Sequence, residues 1–283
     1  MDFPDRIANG QSGRTPALIF SKDRAMQLEA LLASLFLHCR DGASLWPIVL
    51  YTCSGNGFSR QYQEVAETYP QVLFLAEKDF AAQVTVILRA FPHILFLVDD
   101  TLFVRDFSVG QLIGLLASHP GAAGVSLRLG RNAGYCYPLG RPQALPPFRD
   151  LGNGFLSYDW PVADGDFAYP LEVSSSCYRT ADILEAIGGA AFANPNELEG
   201  LMAANAGRLL PTKRSLLCPA LSLAFSNPVN IVQTSCTNRF APQLGYTAEA
   251  LAELFDQGRR VDVGRYRGFT PTACHQPVEL VFV

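Results

Sequence analysis

Several common function classes find no support in this chain. Its seven cysteines (39, 53, 136, 177, 218, 236 and 274) are odd in number and contain no C-x-x-C pair. That speaks against a disulfide framework or a zinc ribbon and for reduced thiols. Only four histidines occur and there is no G-x-S-x-G elbow, so a hydrolase triad is poorly supported. No G-x-G-x-x-G follows the first apolar run and no G-x-x-x-x-G-K-[ST] is present, which removes dinucleotide and P-loop binding by those fingerprints. Positive charge is not in excess: the formal net charge of −4 argues against a nucleic-acid binder held by a basic surface. No apolar run approaches the roughly 18–20 residues of a membrane span, and M-D-F-P-D-R-I-A-N-G lacks the apolar core of a signal peptide. A soluble, cytoplasmic protein is expected, with peripheral membrane contact left open.

What is present is an α/β pattern. Hydrophobic residues make up 49% of 283 and charged residues 17%, enough to bury a core and too apolar for disorder. The run P-A-L-I-F at 16–20 ends in the polar turn Ser21-Lys22-Asp23-Arg24. Apolar residues at 28, 31, 32, 35 and 36 then mark one face of a helix over 25–38. A second strand at 47–51, a small-residue loop at 52–57, a helix over 58–69, a third strand at 71–75 and a helix over 80–91 follow. This alternation predicts a Rossmann-like, mainly parallel central sheet with flanking helices. Next come a helix over 108–118 and a strand over 122–129. The stretch 130–170, rich in Pro, Gly and aromatics without periodicity, reads as functional loops. Helices are expected over 180–187, 197–206 and 247–257, and β runs at 229–233 and 278–283.

The chain is organised around 93–103, H-I-L-F-L-V-D-D-T-L-F. Five consecutive apolar residues fit a strand buried on both faces, and its carboxyl end carries Asp99 and Asp100. In open α/β sheets that edge forms the ligand crevice, and two adjacent acids there invite an oxygen-loving cation such as Mg²⁺ or Mn²⁺. D-G-D at 164–166 follows no buried strand and reads as loop. Trp160, Tyr169 and Tyr178 offer either a stacking face for a sugar or packing.

Four stretches carry a family likeness: A-L-I-F-S-K-D-R-A-M-Q-L at 17–28, I-L-F-L-V-D-D-T-L-F at 94–103, Y-P-L-E-V-S-S-S-C-Y-R-T at 169–180 and N-P-N-E-L-E-G at 194–200. With them the chain resembles the GT-A glycosyltransferases, in the broad neighbourhood of the family 2 enzymes, over most of its length. The resemblance implies one GT-A domain over 1–283, with a nucleotide-sugar-binding half at 14–129 and an acceptor and catalytic half at 130–283. It implies a nucleotide-diphosphate sugar donor, a saccharide or lipid-linked acceptor, and a divalent metal (Mn²⁺ or Mg²⁺) held by a DxD-type carboxylate pair. Val98 stands where a first Asp is often found, so the motif is incomplete.

On this reading Asp100 is a direct metal ligand, and Asp99 touches the metal, the ribose or a metal-bound water. His275, in T-A-C-H-Q-P, is a further metal ligand or a structural residue. Ser21, Asp23 and Arg24 are nucleotide-binding candidates, or else a helix-start turn with a surface ion pair. Thr52 and Ser54 flank the same site. Glu199, with Glu197 as the alternative, is expected in the first turn of a helix capped by Asn196, as the general base of an inverting transfer. Acids there also suit the helix dipole without catalytic duty. The family neighbourhood suggests bacterial surface-polysaccharide synthesis. A sugar-nucleotide nucleotidyltransferase and an inactive nucleotide- or sugar-binding module are the rival readings.

Overall fold

Thr15–Lys22 (β1) is apolar over its centre, residues 16–20, where both its faces are covered. In the computed structural model, which describes residue 7 and residues 13–209, 211–232 and 245–283, β1 lies between β2 (Leu45–Thr52) and β4 (His93–Val98). It runs parallel to both, and β3 (Leu73–Ala76) continues the sheet beyond β2. Ala17 and Ile19 enter one apolar layer, Leu18 and Phe20 the other, the alternation of a strand buried on two sides.

Helices supply both layers. The connections are α1 (Ala25–His38), α2 (Asn56–Thr68) and α3 (Phe80–Ala90). Leu28, Leu31, Leu32 and Leu35 of α1 are fully buried, as their spacing predicts, each contributing about 1.5–3 kcal/mol. Asp79 caps α3 by accepting the Ala82 N–H at 3.0 Å.

Beyond Asp100 the plan changes. β5 (Thr101–Phe103) leaves the sheet to pair with β13 (Ala224–Ser226) in a two-stranded ribbon. After α4 (Val109–Ser118) and β6 (Ala122–Ser126), the stretch expected to be irregular holds two hairpins. β7 (Tyr135–Cys136) pairs with β8 (Arg141–Pro142), and β9 (Arg149–Gly152) with β10 (Phe155–Asp159). β11 (Ser175–Arg179) slots antiparallel between β4 and β6, followed by α5 (Thr180–Ile187), α6 (Pro195–Asn205), β12 (Ser215–Pro219) and α7 (Ala248–Asp256).

Among the described residues the sheet has nine strands, ordered β3-β2-β1-β4-β11-β6-β12-β10-β9. All but β10 and β11 run one way. The chain is therefore mixed α/β with a large, mainly parallel central sheet, as expected. Residues of α1, α2, α4 and α7 pack in one apolar layer and those of α3, α5 and α6 in the other. Gly124 of β6 has no side chain because the Tyr178 ring of β11 fills that space; a Cβ there would overlap the ring.

Several expectations are corrected. β6 stops at Ser126, not 129, because Leu127 turns away: its N–H donates to Ser175 O and its carbonyl accepts from Leu223 and Ala224. The expected β run at 229–233 is irregular over 229–232, with 233 outside the described residues. There the Asn230 carbonyl accepts from Arg24 and its side chain bonds Gln27 and Tyr246. The run at 278–283 forms only an isolated bridge, Val261 to Phe282, with Val278 held instead by the Asn227 side chain. The helix expected over 197–206 begins at Pro195, and Asn194, not Asn196, caps it. Asn194 Oδ1 accepts the Glu197 N–H at 3.0 Å, and Pro195 sits in the first turn, where its missing N–H costs nothing. Cys236 lies outside the described residues; the other six cysteines are free. Among the described residues no helix is long and apolar enough to cross a membrane.

Candidate active site

β1, β4 and β6 end at one edge of the sheet. Because β11 runs the other way, the loop before it, 170–174, arrives at that same edge, and the start of α6 faces it. The result is a cleft of about 840 Å³. Asp100, Glu199 and His275 line it together, as do Ser21, Arg24, Thr52 and Asp99.

The two acids after β4 have different surroundings. Asp99 Oδ1 accepts from Arg24 Nη1 at 3.0 Å; Oδ2 accepts from Ser21 Oγ at 2.9 Å and the Lys22 N–H at 3.3 Å. Both oxygens are engaged. Arg24 is fixed in turn, donating to the Asn230 carbonyl at 2.6 Å, so this cluster ties the ends of β1 and β4 to the later chain. Asp100 lies 4.0 Å from Arg24 Nη1, and its Oδ1 is buried without a partner. Burial pushes its carboxyl above the usual range, with Arg24 opposing and Asp99 adding to the shift.

Two residues the sequence reading passed over stand in the same wall. Arg128, just past β6, donates from Nη2 to Glu172 Oε2 at 2.9 Å. Its Nη1 donates to Ser226 Oγ at 3.1 Å and to His275 Nε2 at 3.0 Å. Glu172 also accepts from the Ser174 and Ser175 N–H groups and the Ser176 hydroxyl. The signal was an arginine alone in the apolar run V-S-L-R-L, since a buried charge requires a partner.

The two glutamates of α6 part ways. Glu197 is exposed and completes the helix cap, Oε2 accepting the Ala193 N–H and Oε1 the Asn194 amide, each at 2.8 Å. Glu199 is half-buried on the cleft wall. Its Oε2 accepts the Val173 N–H at 2.8 Å and its carboxylate a hydrogen bond from Tyr169. Burial pushes Glu199 up to about 7, repulsion from Glu172 adding to the shift and the Val173 N–H opposing it.

Asp23 adopts a left-handed backbone, φ +53°, and accepts the Ser54 N–H at 2.7 Å, joining the loops after β1 and β2. With Ser54 it lines an adjoining cavity of about 420 Å³ rather than the main cleft. Trp160 and Tyr178 are buried packing residues, the former donating to Lys213 O and the latter to Glu172 O. D-G-D at 164–166, expected as loop, instead opens a short 3-10 turn over Gly165–Ala168; Asp164 pairs outside with Arg141, whereas Asp166 reaches the cleft wall. Among the described residues no group of three or more His, Cys, Asp or Glu side chains is placed to hold a metal ion.

No family model matches the chain. A bifunctional glycosyltransferase, pgtA, of Dictyostelium discoideum is 31% identical over 189 residues, which is 61% of this chain and 25% of that protein. The match thus spans about a quarter of that relative's length. Among solved structures, residues 1–349 of S. aureus TarS in complex with UDP share 14% identity, with 73% of this chain and 58% of that one covered and a TM-score of 0.49. The mannosyltransferase PcManGT from Pyrobaculum calidifontis, in complex with GDP-Man and Mn²⁺, also shares 14% identity, with 75% and 58% covered and a TM-score of 0.43.

Proposed function

We propose that this chain is a GT-A-type glycosyltransferase that moves a sugar from a nucleotide-diphosphate donor to a saccharide hydroxyl, with inversion. The observation that carries the reading is one cleft lined by Asp100 at a strand end and, on α6, by a glutamate held near neutrality. The relative named a glycosyltransferase supports the same class. The half at 14–129 takes the donor, with Ser21, Arg24 and Thr52 on the nucleotide side and Asp23 shaping its loop. The half at 130–283 takes the acceptor. Leu139, 58% exposed beside Tyr137 and Pro138 on the cleft wall, gives that side an apolar rim suited to a lipid-linked saccharide of surface-polysaccharide synthesis.

Glu199 is the base. Its carboxylate takes the proton of the acceptor hydroxyl as that oxygen attacks the anomeric carbon and the bond to the diphosphate breaks. A base near 7 is well matched to this transfer, and the Val173 N–H holds its geometry. Glu197, spent in the cap, has no such freedom.

The divalent metal implied by the family fits one residue of the expected three. Asp100 offers a buried, unpartnered oxygen, and Mg²⁺ or Mn²⁺ is held by one or two carboxylates together with substrate phosphates. Asp99 is committed to Arg24 and Ser21, and its duty is to hold the strand ends. Bound with the donor, such a cation would act as a Lewis acid on the leaving diphosphate.

Calorimetric titration of UDP, GDP, CDP and dTDP, with Mn²⁺ and with chelator, tests the reading. One nucleotide should bind, more tightly with Mn²⁺, and the Mn²⁺ effect should vanish in Asp100→Ala. Glu199→Gln should retain that binding while turnover drops about 10²–10⁴-fold. An Asp100→Ala protein as Mn²⁺-responsive as wild type would remove Asp100 from the metal. Wild type that binds none of the four would sink the reading as a whole. Full turnover in Glu199→Gln would sink the base.

A further inference from the structure

The hydrogen bonding of His275 points to a duty other than metal ligation, an inference that rests on the donor site proposed above. A guanidinium has only N–H groups to offer and can only donate. Arg128 Nη1, 3.0 Å from His275 Nε2, therefore needs an acceptor there. The Nε2 lone pair is occupied, and the neutral ring carries its proton on Nδ1. A ligating histidine has the opposite arrangement, one nitrogen on the metal and the other donating to a carboxylate, carbonyl or water.

Arg128 has little room to turn away. Its Nη2 is bound by Glu172, and Glu172 is clasped by two backbone N–H groups and the Ser176 hydroxyl. Arg128 and Glu172 are 5% and 6% exposed, so the pair is set in the wall before any ligand arrives. His275 Nδ1, by contrast, is buried with no partner, in a residue that lines the cleft. A buried N–H without an acceptor calls for an explanation, and a bound ligand with acceptor oxygens supplies one.

We propose that His275 is a neutral hydrogen-bond donor to the diphosphate of the nucleotide sugar, with Arg128 the positioning residue that sets its tautomer and Glu172 the anchor of Arg128. Phosphoryl oxygens are pure acceptors and match an N–H that a metal could not use. As the bond to the sugar breaks, negative charge grows on those oxygens, and an N–H donated to them strengthens in step.

The decisive measurement is the tautomer. Long-range proton–nitrogen correlation on histidine-labelled protein, with His275→Asn to assign the signal, should show the proton on Nδ1 in wild type. Arg128→Lys should release that preference; should that variant fail to fold, the wild-type spectrum still decides. Affinity gives the second readout. With Mn²⁺ present, His275→Ala should weaken the nucleoside diphosphate that wild type binds best by about three- to tenfold, and His275→Asn, which keeps an N–H near the same place, should recover most of it. Mn²⁺ affinity, read by paramagnetic resonance with saturating nucleotide, should stay within about threefold in His275→Ala. A proton on Nε2, or an Mn²⁺ affinity reduced tenfold or more in His275→Ala, would overturn the assignment and leave the donor site standing. Failure of wild type to bind UDP, GDP, CDP or dTDP would overturn the donor site and this assignment with it.

Discussion

Glu199 sets the expected pH behaviour of the cleft. As a base it must be ionised, so turnover should rise with pH along an acidic limb near 7, a limb lost in Glu199→Gln; a profile flat from pH 5 to 8 would exclude it. The same raised value has a cost for the fold. The folded protein keeps this proton to higher pH than the unfolded chain does, so stability falls as pH rises from the ordinary carboxylate range to about 7. Above that the penalty is fully present, roughly 3 kcal/mol at most. Glu199→Gln should therefore unfold later than wild type in urea at pH 8, with the difference nearly gone at pH 4.5. The adjacent acids should separate in the same assay. Asp99→Ala removes the nearer carboxylate partner of Arg24 and should cost about 3–5 kcal/mol, whereas Asp100, buried with Oδ1 unpartnered, has only Arg24 at 4.0 Å and a Ser226 hydrogen bond, so Asp100→Asn should cost under about 1 kcal/mol. Sequence singled out both acids and favoured Asp100 for the metal, but not the anchoring of Asp99, because the partners that engage Asp99 come from residues 75 and more positions away. Glu197 and Glu199, two apart on one helix, point different ways, but that Glu197 is the one spent in the cap depends on Asn194 as the capping residue.

Elements in the first half were legible because each is long, periodic and locally punctuated. β1, α1, β2, α2, β3, α3 and β4 lie within a few residues of where apolar spacing put them. The second half was not, since its strands are short and its hairpins depend on distant partners. Arg149–Gly152 is polar and exposed on its own and is a strand only because β10 is buried beside it. Conversely, V-N-I-V-Q has strand composition, but Asn230 in it gives its carbonyl to Arg24 and its side-chain oxygen to Gln27. Two substitutions test element-level claims. Asn194→Ala should cost about 1 kcal/mol by unsatisfying the Glu197 N–H, seen as a lower urea midpoint with the slope unchanged. Gly124→Ala should cost about 1–3 kcal/mol, since the Tyr178 ring between β6 and β11 would have to shift; no loss would show that the sheet yields there.

At the scale of the whole molecule, the cleft draws on both halves, so any ligand that fills it should stabilise the entire fold. A nucleoside diphosphate at about 100 times its dissociation constant should add about 2.7 kcal/mol to unfolding, with one transition by both fluorescence and circular dichroism. Two separated transitions would mean that the halves unfold independently. The position of β11 argues that they do not. Strand β4 makes its hydrogen bonds with β1 on one side and with β11 on the other, across about 80 residues of chain. During synthesis the apolar strand His93–Val98 therefore waits with a bare edge until Ser175–Arg179 has been made and has folded back. A chain ended near residue 129 would keep that edge open, and an unpaired, flat apolar edge recruits strands from other molecules. The segment that brings the 170–174 loop to the cleft is thus also the seal against self-association of the nascent chain.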